Sequence, residues 1–259
     1  MAQSDFSLVQ RIYELESSLS ERLMRLSYGD KVQYTYDPIQ YASVPHCNYL
    51  HMFCSPKPAS LMLLGMNPGP WGMAQTGVPF GHVGVVRDWL GVTGEVRKPC
   101  NEHPNRTVLG FSCHRSEVSG GRLWSLLKLL CCNNPSVLAK SIFLHNYCPL
   151  LYLTSTGTNV TPADLKAAYR RPLESLCDAS LHDVVSLLGV TDILAVGNYA
   201  CNGARRAVAQ LPVKVHKLMH PSPRNPLANI DWESAALQQL RQAGLLDRFP
   251  YNGGSSNIS

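Results

Sequence analysis

The spacing of apolar residues at the start of the chain predicts a helix. From Asp5 to about Leu26 the apolar residues recur every three or four positions, which is the spacing of one helical face. We therefore expect an N-terminal amphipathic helix within residues 1–28. Residues 29–58 are rich in Tyr, Pro and His without a sustained period, so we expect an irregular covering segment there. The apolar face of the helix consists of Leu8, Ile12, Leu15, Leu19, Leu23 and Leu26.

Four short apolar runs further along the chain predict strands. The stretches between them include helical patterns, as in parallel strands joined by helical crossovers, so the fold class is α/β. Pro172 is a candidate break in one of the helices. The predicted strands are residues 60–66, 141–145, 191–197 and 213–219, and the predicted helices are Val83 to Leu90, Gly121 to Cys132, Pro162 to Leu188, Tyr199 to Gln210 and Trp232 to Ala243.

Length and composition favour one domain. A chain of 259 residues that is 45% hydrophobic and 16% charged can bury a sizeable core as one domain, or at most as two closely packed halves. We expect a single domain over residues 29–249, preceded by the N-terminal helix. The final residues NGGSSNIS are polar and rich in Gly and Ser, so we expect a flexible tail over residues 250–259.

The charge balance favours a polyanionic partner without demanding one. There are 23 Lys and Arg against 18 Asp and Glu, which gives a formal charge of +5. Acidic residues interrupt the first twenty positions, so no secretory signal is expected. No apolar run approaches the roughly 20 residues needed to cross a bilayer. We therefore expect a protein that works in water and has no membrane partner.

The nine cysteines predict reduced core thiols, because their number is odd and no Cys-x-x-Cys pair occurs. The alternative is a structural zinc or iron–sulfur site, which irregular spacing disfavours. We accordingly expect no metal and no other cofactor. The two clusters that support the alternative are His46, Cys47, His51 and Cys54, and Cys100, His103, Cys113 and His114.

Polar side chains follow three of the four predicted strands. Asn67 lies in a Pro- and Gly-rich strand exit, Asn146 follows the second apolar run, and His220 follows the last. Taken singly, Asn67 is typical of a turn and His220 of a hydrogen-bonded core histidine. Ligands of open α/β sheets bind beyond the carboxyl ends of the strands. The coincidence of all three residues at strand ends therefore favours one shared crevice.

Two motifs identify a family resemblance. GMNPGPWGMAQTGVPFG at 65–81 and HPSPRNPLAN at 220–229 each follow a strand-like run, with HNYCPL at 145–150 between them. With these motifs the chain resembles the single-strand-selective monofunctional uracil-DNA glycosylases, within the uracil-DNA glycosylase superfamily, from about residue 30 to 247. The resemblance implies three α/β/α layers around a central, mainly parallel four-stranded sheet.

The resemblance also implies a DNA glycosylase of base excision repair. We expect it to flip uracil, 5-hydroxymethyluracil and related oxidised pyrimidines out of single- and double-stranded DNA. Hydrolysis of the N-glycosidic bond would then leave an abasic site. DNA containing such bases is the expected partner, and we expect a monomer that works in the nucleus.

The family pattern assigns a role to four residues. Asn67 positions the attacking water through its amide oxygen, and His220 donates a hydrogen bond to uracil O2 as negative charge develops there. Asn146 accepts from uracil N3–H and donates to O4, while Phe80 stacks on the flipped base. An amide has little proton affinity, so water placement and leaving-group stabilisation supply most of the catalysis.

Two further segments are expected to contact the DNA. Met66 and Gly69 match positions near the pyrimidine C5 edge, where the missing Cβ of Gly69 leaves room for a 5-substituent or a water. Arg224 enters the gap left by the flipped nucleotide or binds a phosphate, although an exposed Pro-rich turn is the plain alternative. The expected DNA-binding residues are Pro221, Ser222, Pro223, Arg224, Asn225 and Pro226.

Other chemistries have weaker support. Lys217 is the nearest amine for a lyase, but strand alternation puts it on the opposite face from His220. Cys148 lacks an orienting third group for a thiol nucleophile. A non-catalytic single-strand-binding module and a free-nucleoside hydrolase remain rivals. Paired basic residues could add phosphate contacts, but they are also typical of a solvated helix surface. The residues concerned are Arg170, Arg171, Arg205 and Arg206.

Overall fold

The computed structural model describes residues 2–54 and 57–251, with side chains from residue 8 onward. From residue 252 on, the expected flexible tail lies outside the described residues. The strands are β1 Tyr34–Tyr36, β2 Leu61–Gly65, β3 Phe143–Asn146, β4 Leu151–Leu153, β5 Asn159–Val160, β6 Asp192–Val196 and β7 Lys214–Leu218.

Four of these strands form a parallel sheet in the order β3-β2-β6-β7. They are the four strands that the apolar runs predicted, with bounds that differ by one or two residues. Strands β2, β3 and β6 are buried along their whole length. A strand covered on both faces has no polar side, which explains why these segments are mainly apolar, with polar residues only at strand ends, in Asp192, His145 and Asn146.

The register of the sheet brings the strand ends level with one another. Gly65 of β2 pairs with Asn146 of β3, and Val196 of β6 pairs with Leu218 of β7. The residues that follow these strands therefore leave the same edge of the sheet. This geometry places the polar strand exits around one crevice.

Helices flank the sheet, so the α/β prediction is confirmed. The predicted helices at the N-terminus and near residues 121–132, 199–210 and 232–243 are all present. Segment 83–90 contains a short π-helix, Val85–Trp89, in place of an α-helix. The helices are α1 Ala2–Met24, α2 Pro38–Tyr41, α3 Ser43–Cys54, α4 Met73–Thr76, α5 Val118–Leu130, α6 Pro135–Ser141, α7 Ala167–Leu188, α8 Gly197–Ala207 and α9 Ala228–Gln242.

Pro172 does not break its helix, contrary to the candidate break at that position. The segment divides earlier, between a 3-10 turn at Pro162–Asp164 and α7, where Leu165 and Lys166 are extended. Pro172 lies near the start of α7 and removes one backbone donor. Burial of Leu173 in the next position keeps the helix packed against the body.

The segment expected to be irregular, residues 29–58, contains helix α3 and strand β1. Helix α3 buries one side, but hydropathy does not follow that burial, because the buried side contains the polar His46 and the apolar Val44 is exposed. Strand β1 pairs with β4, which in turn pairs with β5, in a small antiparallel sheet. Strands of two or three residues are too short to produce a readable alternation of apolar and polar positions.

A buried carboxylate joins helix α1 to the rest of the fold. Glu16 Oε2 lies 2.6 Å from His46 Nε2, within hydrogen-bond distance. Glu16 Oε1 lies 3.2 Å from His145 Nδ1, but these two atoms are not aligned for a hydrogen bond. Burial alone would raise the pKa of Glu16, but the two histidines lower it to about 2. Burial opposes a charge on His46 as well, yet Glu16 raises the pKa of that imidazole.

All nine cysteines are free thiols. Six of them are buried, whereas Cys100 and Cys132 are exposed and Cys47 is half-buried. The prediction of core thiols is therefore wrong for these three, whose side chains remain partly or largely open to solvent. Within residues 2–54 and 57–251, no helix combines the length and apolar character needed to cross a membrane.

Candidate active site

A cleft of about 520 Å³ opens at the carboxyl edge of the parallel sheet. Each of the four strands contributes to its wall: Gly65 ends β2, Asn146 ends β3, Val196 ends β6, and His220 follows β7. The cleft therefore lies where the sequence predicted a shared crevice. The site residues predicted from the sequence that line it are Met66, Asn67, Gly69, Phe80, Asn146, His220, Pro221, Ser222, Pro223 and Arg224.

Asn67 presents its amide oxygen to the cleft. Its Nδ2 lies 3.3 Å from the carbonyl oxygens of both Pro68 and Leu150. A carbonyl oxygen can only accept, so the amide nitrogen must face these two groups. The side-chain oxygen is then left to accept a hydrogen bond from a water molecule. The arrangement can orient a water but cannot remove its proton.

His220 is a neutral hydrogen-bond donor in this geometry. The backbone N–H of Ser222 donates to its Nδ1 over 3.1 Å, which leaves the ring proton on Nε2. Burial lowers the pKa of His220 below its ordinary value. Protonation would also place a second N–H against the Ser222 amide. The structure therefore assigns the proton to Nε2, a point that sequence alone left open.

Asn146 and Phe80 meet above the end of β2. Asn146 Nδ2 lies 3.2 Å from the sulfur of Met73, which directs the amide nitrogen toward that weak acceptor. A Cβ atom on Gly65 would lie 2.8 Å from Cζ of Phe80 and closer still to Asn146 Oδ1. Only glycine at position 65 allows the aromatic ring and the amide to approach the strand this closely.

The backbone of Phe80 is held in an unusual conformation. Its φ is +59°, in the left-handed region that costs a non-glycine residue about 1 kcal/mol or more. Trp124 Nε1 donates to the Phe80 carbonyl over 2.9 Å. This bond from helix α5 stabilises the strained turn and orients the ring toward the cleft.

Glu117 is a cleft residue that sequence reasoning missed. It occupies the N-cap position of α5, but its carboxylate accepts from Trp71 N–H over 3.0 Å and does not cap the helix. Burial raises the pKa of Glu117. A Cβ on Gly69 would lie 2.6 Å from its carboxyl carbon. The expected open room beside Gly69 is therefore wrong, because a carboxylate fills the direction in which a side chain would extend.

The 220–229 segment is braced by α5. Arg122 donates to the Pro221 carbonyl over 3.0 Å and to Asn229 Oδ1 over 3.1 Å. Asn229 Nδ2 in turn donates to the Pro223 carbonyl over 2.8 Å. The guanidinium of Arg224 is exposed at the rim of the cleft. Two of the expected DNA-binding residues, Asn225 and Pro226, lie on this segment but do not line the cleft.

Another part of the cleft wall was also missed. It is built by Asn159 of strand β5 and by Thr161 and Asp164, which follow that strand. Thr161 donates to the Asp164 carboxylate from both its N–H and its hydroxyl, over 2.9 and 2.8 Å. Short polar loops of this kind carry no distinctive pattern, and their position depends on strand pairing that the sequence did not reveal.

The four arginines considered for additional phosphate contacts fall into two groups. Arg206 Nε lies 2.8 Å from Asp178 Oδ2, and Arg170 Nε lies 3.6 Å from Glu174 Oε1. These two guanidinium groups are held by acidic residues of α7. Arg205 and Arg171 are exposed. None of the four lines the cleft.

The residues considered for other chemistries lie apart from the cleft. Lys217 is exposed on β7, and Cys148 is buried with its sulfur 3.5 Å from the Tyr152 hydroxyl. His46 Nδ1 contacts the Gly77 carbonyl, and His103 Nε2 contacts the Ser155 carbonyl. In the part of the chain that the structure describes, no three His, Cys, Asp or Glu side chains converge as metal ligands.

Known proteins resemble this chain in sequence and in fold. The single-strand selective monofunctional uracil-DNA glycosylases of Rattus norvegicus and Mus musculus are each 50% identical over 242 residues, which covers 93% of this chain and 86% of the relative. The Bos taurus protein of that name is 48% identical, covering 93% of this chain and 88% of the relative. No protein-family model matches the chain.

A solved structure shares the fold. The crystal structure of wild-type SMUG2 from Pedobacter heparinus superimposes with a TM-score of 0.60 and 14% sequence identity. The match covers 90% of this chain and 98% of that chain. The likeness extends over nearly the whole of both molecules.

Proposed function

Since this chain belongs to the family of single-strand selective monofunctional uracil-DNA glycosylases, we propose that its cleft receives a pyrimidine flipped out of DNA and hydrolyses the bond between base and sugar. The chain is a monofunctional uracil-DNA glycosylase. Water, and not an amine of the protein, is accordingly the nucleophile. The observation that carries the assignment of residues is the convergence of the Asn67 amide oxygen and the His220 Nε2–H on one cleft.

The leaving base is stabilised before the water attacks. Cleavage of the C1′–N1 bond leaves positive charge on the sugar and negative charge on the base. His220 Nε2–H donates to uracil O2, where that negative charge accumulates, in a partly buried site that strengthens the interaction. Because the imidazole is neutral, it stabilises the anion through a hydrogen bond and keeps its proton.

The water then adds to the sugar. Asn67 holds the water through the amide oxygen so that the water oxygen bonds to C1′, from which the N1 electron pair has departed with the base. The proton released from the water ends on the departing base. Asn146 identifies the base by accepting from N3–H and donating to O4, and its nitrogen is oriented by Met73. Cytosine presents the reverse pattern at that edge.

We extend the proposed substrates to 5-hydroxymethyluracil and related oxidised pyrimidines, in single- and double-stranded DNA. The support is Glu117, whose partly buried carboxylate lies against Gly69 at the edge expected to face C5. A carboxylate in this position can accept a hydrogen bond from a 5-hydroxymethyl group. The braced 220–229 segment supports action on duplexes, because a rigid proline-rich loop can occupy the gap left by the flipped nucleotide.

The assignment is tested by base release from oligonucleotides that contain a single uracil or a single 5-hydroxymethyluracil, each in single-stranded and duplex form. We expect release from all four, with an alkali-sensitive abasic product and no adduct trapped by borohydride. Binding without release would favour the rival single-strand-binding module. Efficient cleavage of free deoxyuridine would favour a nucleoside hydrolase.

Glu117→Gln tests the contribution of the carboxylate to substrate range. The amide can still accept from Trp71 N–H, but it loses the charged acceptor beside Gly69. We expect single-turnover release of 5-hydroxymethyluracil to fall about 10-fold more than that of uracil, as for one hydrogen bond to a charged group. Glu95→Gln, at an exposed site, is the matched control. Equal reductions in the release rates of both bases would show that Glu117 does not contribute to substrate selection.

We also propose a nuclear monomer. All residues assigned to the cleft come from one chain, so no second copy is needed to complete the site. Damaged genomic DNA is the expected substrate, which is the reason for the nuclear assignment. Sedimentation velocity at micromolar concentration tests the first proposal, and imaging of the tagged protein in its native cells tests the second. A dimer, or exclusion from the nucleus, would contradict them.

A further inference from the structure

A second concave surface lies on the outer side of the loop that carries Asn67. Gly69 and Gly72 of this loop face the catalytic cleft, whereas Trp71 between them faces a separate groove of about 570 Å³. Arg106, Arg115 and Thr156 also line this groove. We name this surface the Trp71 groove. None of the catalytic, base-binding or DNA-binding roles assigned above involves this groove.

Two guanidinium groups are held against the indole ring of Trp71. The Cζ atoms of Arg115 and Arg106 lie 4.1 and 5.4 Å from the ring centroid. Cations within about 6 Å of a tryptophan face are attracted by the π-system. Two long side chains are thereby restricted in position without an acidic partner.

Neither arginine has its charge neutralised by the protein. Among residues 8–54 and 57–251, no acidic side chain forms an ion pair with Arg106 or Arg115. The Lys and Arg side chains that do form ion pairs there are Arg25, Arg87, Lys98, Arg170, Arg206 and Arg248. Arg106 Nη1 donates to the neighbouring Asn105 carbonyl, while its Nε has no acceptor. The groove therefore presents two ordered positive charges with unused donors, which is the chemistry that recognises a polyanion.

The Trp71 groove lies next to the catalytic cleft. Trp71 N–H donates to Glu117, which lines the cleft, and Arg115 lies two residues before Glu117 on the same segment. A DNA strand whose nucleotide enters the cleft must leave over one of its rims. The groove lies along one such rim. Because the indole ring is already engaged by guanidinium groups, phosphates are better ligands for this surface than stacked bases.

We propose that the Trp71 groove binds the phosphodiester backbone next to the flipped nucleotide, with Arg106 and Arg115 contacting phosphates and Trp71 holding both guanidinium groups. The inference rests on the proposed uracil-DNA glycosylase activity and does not require that the protein also release 5-hydroxymethyluracil or other oxidised pyrimidines. Contacts of this kind are independent of sequence and increase affinity for single strands. An acidic protein segment is the alternative occupant.

The salt dependence of binding tests the proposal. Each phosphate contact on a single strand contributes about 0.7 to the slope of log affinity against log salt, so Arg106→Gln with Arg115→Gln should reduce the slope by about 1.4. The ligand is a uracil-containing single strand bound to the Asn67→Ala protein, in which turnover is expected to be slower by about 100-fold or more. Arg22→Gln with Arg241→Gln removes the same charge at exposed helix positions and is the control.

Neutral methylphosphonate linkages locate the contact. Placed one at a time on either side of the uracil, they should raise KM on one flank in the wild-type protein and have no such effect in the double variant. Maximal turnover of the double variant should stay within twofold of wild type. If the double variant is unstable, Arg115→Gln alone, at an exposed position, should lower the slope by about 0.7.

A slope equal to that of the control variant, or the same methylphosphonate penalty in both proteins, would overturn the proposal and leave an acidic partner as the occupant. Absence of uracil release by the wild-type protein would instead contradict the enzyme assignment. The two failures are therefore distinguishable.

Discussion

Asn67 and His220 act on opposite sides of the bond that breaks. Asn67 is held by two carbonyl groups that fix the amide nitrogen and expose the amide oxygen. His220 is held by one backbone N–H and by burial, which together keep it neutral with its proton on Nε2. Neither residue is a strong acid or base, so the chemistry depends on hydrogen-bond direction.

Asn67→Ala removes the group that orients the attacking water. We expect single-turnover release of uracil to fall by about 100-fold or more, because misplacement of a reacting group by about 1 Å has an effect of this size. Binding of the uracil oligonucleotide should change little. Asn101→Ala, at an exposed loop position, is the control. A variant with wild-type rate and an unchanged melting temperature would show that Asn67 does not position the water.

His220→Leu removes the donor to uracil O2. Loss of one donor to a developing oxyanion slows comparable reactions by about 100- to 1000-fold, and we expect a reduction in this range for uracil release. Retained folding is checked by circular dichroism. Near wild-type turnover in the folded variant would exclude His220 as the stabiliser of the base.

The lowered pKa of His220 predicts a pH profile. A histidine whose pKa lies below its ordinary value is neutral above pH 6.5, so this residue should leave kcat/KM flat from pH 7 to pH 8.5. Nitrogen NMR of labelled protein at pH 7.5 should show a proton on Nε2 and none on Nδ1. An imidazole that titrates above pH 6.5 would contradict the neutral-donor assignment.

Helix α5 organises the site from one side of the cleft. Its N-cap residue Glu117 faces Gly69, Trp124 holds the strained Phe80 turn, and Arg122 braces the segment after His220. The helix was predicted from its apolar face, but its three polar or aromatic contacts reach segments distant in the sequence. The helix therefore links substrate stacking to the loop expected to enter the DNA.

Arg122→Ala should loosen the 220–229 segment without touching the base. Two hydrogen bonds are lost, to the Pro221 carbonyl and to Asn229. We expect uracil release from duplex DNA to fall about 10-fold, and release from a single strand to fall less, because only the duplex requires the gap to be filled. Arg171→Ala is a control at an exposed arginine away from the cleft. Equal effects on both substrates would argue against a bracing role.

The molecule as a whole depends on helix α1 for a buried charge network. Glu16 sits between His46 of α3 and His145, the residue before Asn146. The residue that reads the base is therefore next to a contact made by the N-terminal helix. This helix also buries Ile12 and Leu23 completely in the common core.

Glu16→Gln should destabilise the fold by about 3 kcal/mol, the scale expected when one partner of a buried ion pair is removed. The pKa of Glu16 is about 2, below its ordinary 4.5, so its contribution is present above pH 4.5 and lost as pH falls toward 2. The raised pKa of His46 contributes stability below pH 6.5 that is lost as pH rises through the folded value.

Denaturant titrations of both proteins from pH 3 to pH 8 check this window. The wild-type advantage should be greatest between about pH 4.5 and 6.5. Glu14→Gln, on the exposed face of the same helix, should leave the free energy of unfolding nearly unchanged. A difference between wild type and Glu16→Gln that does not vary with pH would contradict the charge network.

Local sequence patterns were sufficient to predict the strands of the parallel sheet, most of the longer helices and the cleft residues at strand exits. Buried strands require continuous apolar runs, helix faces require a period near 3.6, and parallel strands bring their exits to one edge. Asn67, Asn146 and His220 could be placed together because each follows such a run. Their roles came from the family motifs around them.

Contacts between segments distant in the sequence were decided by the tertiary structure. Nothing near Glu117 indicates that it fills the space beside Gly69, nor do the neighbours of Trp71 reveal that Arg106 and Arg115 would meet over its ring. Helix α3 was missed because its buried side includes the polar His46 and its exposed side includes Val44, so the apolar residues do not mark the buried side. A sequence records which residues are apolar at each spacing, but which distant side chain fills a gap depends on how the elements pack.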